Sequence, residues 1–384
     1  MDLRYGMNPQ QTADATPVRP GRWPVRVVQG SPSYINMLDA LGSWQLVREA
    51  SRSLGRPAAA SFKHVSPAGA AVAGPVDEVT AELHGVHRAD VGALTSAYLR
   101  ARDADPKSSY GDFAAVSHPV DEELAELLTR VVCDGIIAPG YAPGTVARLG
   151  RKKNGCFLVM EADPDFVPPE YETRDVFGLH LTQQRDQVPL AATLLENTVC
   201  GELPATAAED LLLGLVVLRH TQSNSVCFVR DGATLGIGAG QQSRVDCTRL
   251  AGAKADTWWL RRHPAVRALT FRPDIRRQDR INWQIRCIEG DLTPDERTRL
   301  SGALSRPGQE LTDSGRAAWM ARLKGVAFVS DGALPFRDNV DHAHRHGVDY
   351  IAEPGGSIRS AEVEDACREH GITLARTGIR LFHH

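Results

Sequence analysis

The sequence predicts an α/β layered architecture built as two domains. Short apolar runs alternate with stretches of helical periodicity along most of the chain. The length of 384 residues is enough for two cores. A third observation relates the two halves. Phe62-Lys63-His64 is echoed by Leu218-Arg219-His220, and an apolar run opens after each, at Ala70 and at Val226. The echo hints at a duplication, with chance as the competing reading.

Composition narrows the function classes. A hydrophobic content of 42% with 24% charged residues is ordinary for a soluble globular protein. A net charge of -3 argues against a nucleic-acid surface that relies on bulk charge. No apolar run is long enough to span a bilayer, and the N-terminus lacks the apolar core of a signal peptide. The seven cysteines are odd in number and form no Cys-x-x-Cys, which suits free thiols in a reducing cytosol. No His/Cys cluster has zinc spacing.

Taken in order, residues 4–11 are polar and turn-rich and need a partner surface to become ordered. Arg4 followed by Tyr5 there suits a phosphate grip, or the arm is simply a loose terminus. Residues 23–30 read as a short strand ended by Gly30. A helix follows over residues 35–54, with Ile35, Leu38, Gly42 and Leu46 on one face and Gly55 as C-cap. Residues 57–73 read as strand, turn, strand. Helices are expected from residue 76 and over residues 93–102. Residues 105–112 form a loop, residues 113–116 a buried strand, and residues 119–132 a helix that Pro119 starts. Strands over residues 134–140 and 157–160 close the first half. Residues 188–202 read as a connector.

In the second half, residues 207–217 form a helix so apolar that it must be buried. Strands are expected from Val226 and at residues 326–329 and 350–352. Helices are expected from Asp338, carrying Val340 and Ala343, and over residues 362–370. Residues 265–324 are polar, arginine-rich and mostly helical, and look like a surface insertion. Pro354-Gly355-Gly356-Ser357 is a nest-like turn. The apolar residues before His383 and His384 suggest a docked terminus.

Two stretches carry candidate chemistry. Lys63 and His64 stand side by side between apolar runs, followed by Ser66-Pro67-Ala68-Gly69. At a strand end or bulge, which Pro67 and Gly69 make plausible, both side chains can reach one cleft. A cation beside an imidazole suits acyl or formyl transfer to an amine. The alternative is a strand end with two solvated polar residues. Gly236-Ile237-Gly238-Ala239-Gly240-Gln241-Gln242-Ser243-Arg244 lacks the third glycine and the continuation of a dinucleotide loop. It reads either as backbone that lets a ligand approach, with Arg244 as anchor, or as a glycine-rich turn. Together with Arg4, Asp134, Asn224, Asp338, Asn339 and Arg380, these residues suit an anionic small-molecule site with acid–base chemistry.

The motifs also carry a resemblance. Leu3-Arg4-Tyr5-Gly6-Met7-Asn8-Pro9, the Lys63-His64 stretch, Ser108-Ser109-Tyr110-Gly111-Asp112-Phe113 and Asp134-Gly135-Ile136-Ile137-Ala138-Pro139-Gly140-Tyr141 come first. Lys152-Lys153-Asn154-Gly155, Thr221-Gln222-Ser223-Asn224-Ser225-Val226 and Gly238-Ala239-Gly240-Gln241-Gln242-Ser243-Arg244 follow. Pro335-Phe336-Arg337-Asp338-Asn339 and the tail Arg380-Leu381-Phe382-His383-His384 complete the set. In this order, over essentially the whole chain, the sequence resembles aminoimidazole-carboxamide ribonucleotide (AICAR) transformylase, the formyltransferase part of a bifunctional purine-biosynthesis enzyme.

The resemblance implies two duplicated cytidine-deaminase-like α/β subdomains without zinc, residues 1–195 and 196–384, the second carrying the insertion. It implies a cytoplasmic homodimer with sites at the subunit interface, small-molecule nucleotide and folate partners, and no nucleic acid or membrane. By the same resemblance His64 takes a proton from the 5-amine of AICAR. Lys63 stabilises the oxyanion or protonates the departing folate nitrogen, and Asn224 completes the catalytic set. Arg4, Tyr5 and Arg380 hold the phosphate; Asp134, Asn224 and Arg244 orient the base; Gly111 and Phe382 also bind substrate. Lys107, Val245, Pro335, Asp338, Asn339, Gly356 and His384 fall to the co-substrate 10-formyltetrahydrofolate. Thr221, Ser223, Ser225 and Asp331 resemble a monovalent-cation site, with potassium as its candidate occupant.

The family's N-terminal cyclohydrolase domain has no counterpart before Met1, so the chain is expected to formylate and not to cyclise. Ala333 and Leu334 stand where the family often has aromatic residues, Lys107 where it is usually apolar, and Arg219-His220 for the usual Lys-Tyr. These departures fit neutral drift, or a related acceptor such as another amino-heteroaromatic carboxamide nucleotide. A non-catalytic nucleotide- or folate-binding homologue is a third reading, against which the presence of both Lys63 and His64 counts.

Overall fold

Residues 1–384 are all described by the computed structural model. The chain enters through a small ribbon, β1 (Asp2–Leu3) paired with β2 (Ala13–Asp14). Then come β3 (Val25–Gln29), α1 (Tyr34–Leu54) and a hairpin of β4 (Ala58–Lys63) and β5 (Ser66–Val72). α2 (Glu78–His84), α3 (Ala93–Asp103), β6 (Asp112–Val116), α4 (Glu122–Arg130), β7 (Cys133–Ala138), α5 (Thr145–Leu149) and β8 (Leu158–Ala162) follow. An exposed ribbon, β9 (Tyr171–Val176) with β10 (Leu179–Gln184), stands between the halves.

The second half holds β11 (Thr198–Cys200), α6 (Ala205–Arg219), a hairpin of β12 (Val226–Arg230) and β13 (Ala233–Gly238), and α7 (Arg244–Leu260). The expected helical insertion comprises α8 (Pro264–Arg267), α9 (Arg277–Glu289), α10 (Pro294–Ala303) and α11 (Asp313–Met320). β14 (Val326–Ser330), α12 (Asp338–His344), β15 (Val348–Glu353), α13 (Ser360–His370) and β16 (Thr373–Arg376) complete the chain.

Twelve strands form one sheet in the order β11-β16-β15-β14-β12-β13-β5-β4-β6-β7-β8-β3. Read outward from the centre, each side gives a hairpin, an antiparallel neighbour, two further parallel strands and an antiparallel edge. The two hairpins meet at Ala233 opposite Ala71. α1 and α6 pack against one face of the sheet in a shared core that spans both halves. The opposite face carries two separate cores, one under α3 and α4 and one under α7, α12 and α13. No helix is long and apolar enough to cross a membrane.

Local chemistry explains the element boundaries. Ser33 and Asn36 form a capping box at the start of α1, and Gly55 closes it in the left-handed conformation. Its buried face differs from the expected one. Met37, Ala40, Trp44 and Val47 are buried with Leu46, while Ile35, Leu38 and Gly42 are half-buried. The helix packs against both the sheet and its neighbour α6, so its covered sector is broad. α4 starts at Glu122 rather than at Pro119, because the Asp121 carboxylate accepts the Leu124 N–H at 2.8 Å. Val120 instead bridges to Tyr141. Cys247 lies in α7, and all seven cysteines are free.

Gly69 borders a bulge, as expected, since the register shifts between Ser61 opposite Gly69 and Phe62 opposite Pro67. Gly236 likewise lies inside a strand beside a register shift, not in a glycine-rich turn. A Cβ on Gly69 would strike the Ala101 carbonyl oxygen and come within 2.7 Å of the Ala104 Cβ. On Gly236 it would strike the Ala251 carbonyl and come within 2.9 Å of the Lys254 Cβ. The glycines let α3 and α7 lie close on their hairpins. In α2, buried His84 has neither ring nitrogen hydrogen-bonded, and burial with the nearby Arg102 pushes its pKa down to about 3.

Candidate active site

The β4–β5 turn is the organising feature. His64 and Val65 both have left-handed backbone, with φ of 53° and 62°. Two such residues make the turn type that matches strand twist in a two-residue hairpin. Val65 is β-branched and strained there, so the turn needs support. Asp39 of α1 supplies it: its carboxylate lies under the turn and accepts the Val65 N–H at 2.7 Å. Burial raises the Asp39 pKa, opposed by that hydrogen bond and by the charge of His64. Lys63 ends β4, and its ammonium donates to the Tyr110 carbonyl at 2.7 Å. The His64 ring is exposed.

Of the other expected residues, Asp134 and Gly111 lie near this turn, while Arg4 and Tyr5 lie along the start of α1. Asp134 in β7 pairs with Lys153, and a Cβ on Gly111 would lie 3.9 Å from the Asp134 carboxylate. Arg4 Nη2 donates to the Tyr5 hydroxyl at 3.0 Å. The Arg4 N–H donates to the Pro32 carbonyl, and Tyr5 accepts from the Tyr34 N–H, so the pair is laid along the start of α1. Arg4 has no acidic partner in the chain and stays available to an anion. Lys153 and Tyr110 had been singled out only within motifs and given no role, and Asp39 was not anticipated. For Asp39 the available signal was an aspartate inside the apolar run from Met37 to Leu41.

A second group forms at the start of β12 and α7. The antiparallel register puts it at the same end of the sheet as the His64 turn. Arg244 is 7% exposed. Its guanidinium pairs with Asp331 and donates to Ser330 Oγ at 3.0 Å and Asn224 Oδ1 at 2.7 Å. The Asn224 amide donates to the Gln241 and Gln242 carbonyls at 3.0 and 3.2 Å. The tail docks here as expected, with the Leu381 N–H on the Asp331 carbonyl and the His383 N–H on Ser223 Oγ. Phe382 packs where Gly332 leaves room, and the Arg380 guanidinium lies 4.4 Å from its ring centre.

The suggested cation ligands do gather. One Asp331 oxygen accepts from Ser223 Oγ, Ser225 N–H and Ser225 Oγ, at 2.5, 3.0 and 3.0 Å, and Arg244 occupies the other. Thr221 turns its hydroxyl to the Val217 carbonyl. The three donors saturate one carboxylate oxygen, while the other accepts from Arg244 alone and keeps a lone pair.

The residues expected along a folate are less uniform. Pro335, Asp338, Gly356, Val245 and His384 are at least partly exposed. Asn339 is fully buried, accepting from Thr248 Oγ1 and donating to Asp338 and the Phe336 carbonyl. It packs α12 on α7 rather than facing a cleft. Lys107 points to Glu289 of the insertion, 3.9 Å away. Leu334 is 1% exposed, so it belongs to the core.

The echo of Lys63-His64 in Arg219-His220 is not structural. Lys63 and His64 sit at a hairpin turn, whereas Arg219 and His220 end α6 and both pair with Glu49 of α1. Burial opposes ionisation of Glu49, but the His220 hydrogen bond and both cationic neighbours hold its pKa below the ordinary range. The counterpart of Lys63-His64-Val65 in the strand order is Arg230-Asp231-Gly232, where Asp231 and Gly232 also have positive φ.

Comparison with known proteins gives a family match and named relatives. Residues 1–254 match the family described as AICARFT/IMPCHase bienzyme. A protein of Roseobacter denitrificans named bifunctional purine biosynthesis protein PurH is 31% identical over 387 residues. That match takes in all of this chain and 59% of the relative. Proteins of the same name from Brucella anthropi and Brucella ovis are 31% identical over 390 residues, with 58% of each covered. The chain thus spans less than two thirds of the length of these relatives.

Proposed function

The chain belongs to the AICARFT/IMPCHase bienzyme family, and on that premise we propose that it moves the formyl group of 10-formyltetrahydrofolate to the 5-amine of AICAR. The observation that carries this reading is the Lys63-His64 turn, held open to solvent over Asp39 with Asp134 and Gly111 beside it. The amine attacks the formyl carbon and a new C–N bond forms. His64 accepts the amine proton. The Lys63 ammonium faces the developing oxyanion or protonates the folate nitrogen as its bond to the formyl carbon breaks. Tetrahydrofolate and formyl-AICAR leave. Arg4, Tyr5 and Arg380 take the phosphate, and Asn224, fixed by Arg244, meets the carboxamide. No step runs through a cation at Asp331.

The acceptor reading favours AICAR over an analogue, because Leu334 and the Arg219-His220 pair are engaged in packing rather than lining the site. Purified protein given 10-formyltetrahydrofolate and AICAR should release tetrahydrofolate and produce formyl-AICAR. Binding of AICAR without turnover would overturn this in favour of an analogue or a silent homologue.

The mirrored strand order supports reading residues 1–195 and 196–384 as duplicated cytidine-deaminase-like subdomains. A homodimer also belongs to the proposal. No hydrogen bond or ion pair joins the His64 group to the Asn224 group, so a partner copy is the natural source of the complementary half. Two uncovered surfaces fit a second copy. The β9–β10 ribbon exposes Phe177 (105%), Leu179 and Tyr171. A cavity of about 1290 Å³ beside α1 and α6 is lined by Leu41, Trp44, Phe166 and Leu212 together with Arg48 and Arg52. The pair Phe177→Asp and Leu179→Asp should shift a light-scattering dimer to monomer. An unchanged mass would remove the ribbon from the interface.

A further inference from the structure

Both hairpin turns are held by the same device. In the first half, Asp39 of α1 accepts the Val65 N–H at 2.7 Å. In the second, Asp210 of α6 accepts the Asp231 and Gly232 N–H groups at 2.9 and 2.6 Å. Each aspartate is the sixth residue of its helix. Each is nearly buried, at 6% and 7% exposure. Each helix packs on the shared face of the sheet, under its own hairpin.

The two turns differ above the aspartate. The second is closed: the buried Arg100 guanidinium donates to the Val72 carbonyl at 2.6 Å and to the Asp231 carbonyl. It carries glycine at its second left-handed position. The first carries Val65 there, a β-branched residue strained at φ 62°. Its cation and imidazole are open to solvent or to a tyrosine carbonyl alone. The strained residue is thus kept in the half whose turn bears Lys63 and His64, and a carboxylate is placed to offset the strain.

We propose that Asp39 is a positioning residue for Lys63 and His64, fixing the strained turn through the Val65 N–H so that imidazole and ammonium stay aimed at the reacting carbon. The inference rests on the formyl-transfer reading. Asp210 does the same for a turn that carries no chemistry. A misplacement near 1 Å costs about 10²-fold in rate. Asp39→Ala is therefore expected to lower kcat by about 10²-fold with little change in KM for either substrate. Asp39→Asn keeps a carbonyl oxygen for the Val65 N–H and should regain most of the rate, which also covers an alanine variant that folds poorly. Val65→Gly added to Asp39→Ala relieves the strain and should restore part of kcat. Asp210→Ala should lower the melting temperature and leave kcat within about twofold of wild type.

The inference is overturned if folded Asp39→Ala keeps wild-type kcat. It is equally overturned if Asp39→Asn is as slow as the alanine variant, or if Asp210→Ala loses kcat in parallel. A wild-type protein that shows no transfer to AICAR overturns the formyl-transfer reading itself. An active wild type with indifferent Asp39 variants overturns only the role of Asp39.

Discussion

Replacing His64 by asparagine should cut formyl transfer by about two to four orders of magnitude while leaving the fold unchanged. Asparagine is the informative choice because it tolerates left-handed backbone nearly as well as any residue with a side chain. The turn at φ 53° then persists without a base. The ring is exposed, so its loss opens no cavity and the melting temperature should hold. The 5-amine of AICAR is a poor nucleophile, since its lone pair is delocalised toward the carboxamide, and it depends on base assistance. Lys63→Ala should cost about 10²- to 10³-fold, the range for removing one donor to an oxyanion. The two losses should be far from additive, because both groups serve one transition state. Added imidazole should return part of the activity to a His64→Gly variant. Wild-type turnover in His64→Asn would sink the mechanism.

What the sequence disclosed follows from how each feature is encoded. The central strands were legible because apolar runs such as those at β4, β5 and β14 are buried on both faces and bounded by turn residues. The β9–β10 ribbon was missed because none of its residues is buried, and no burial pattern marks it. α7 was missed because its covered face is made of Cys247, Thr248, Ala251, Gly252 and Ala255, small residues that give little periodic signal. The echo between the halves was matched at a place the structure does not support. Similar side chains at Lys63-His64 and Arg219-His220 suggested it. The correspondence seen in the structure is carried by Asp39 with Asp210, Gly69 with Gly236, and two left-handed turns. These are isolated identities in otherwise dissimilar stretches, too sparse to align the halves by side chains.

Removing the Asp331 side chain should be the most damaging single change to stability among the site residues. Asp331 is fully buried, and its carboxylate accepts from Ser223, Ser225 and Arg244. Asp331→Ala leaves the Arg244 guanidinium buried without a counter-charge and strands two hydroxyls. Breaking a buried pair from one side costs about 3–5 kcal/mol. The urea midpoint should fall accordingly. The C-terminal tail should loosen as well, since Ser223 Oγ bridges the Asp331 carboxylate to the His383 N–H. Phe382 and Arg380, which meet the substrate in the proposed site, ride on that tail.

A double variant separates stability from function. Arg244→Met with Asp331→Leu removes both charges and fills the space, which is often neutral or stabilising for a buried pair. It should recover much of the lost midpoint, so the two substitutions couple strongly. It should not recover turnover, because Asn224 Oδ1 loses the Arg244 donor 2.7 Å away that fixes its amide. If Asp331→Ala unfolds no earlier than wild type, the pair is not the anchor of this half of the site. If the double variant is both stable and fully active, Asn224 needs no orientation and the second group does not serve the reaction.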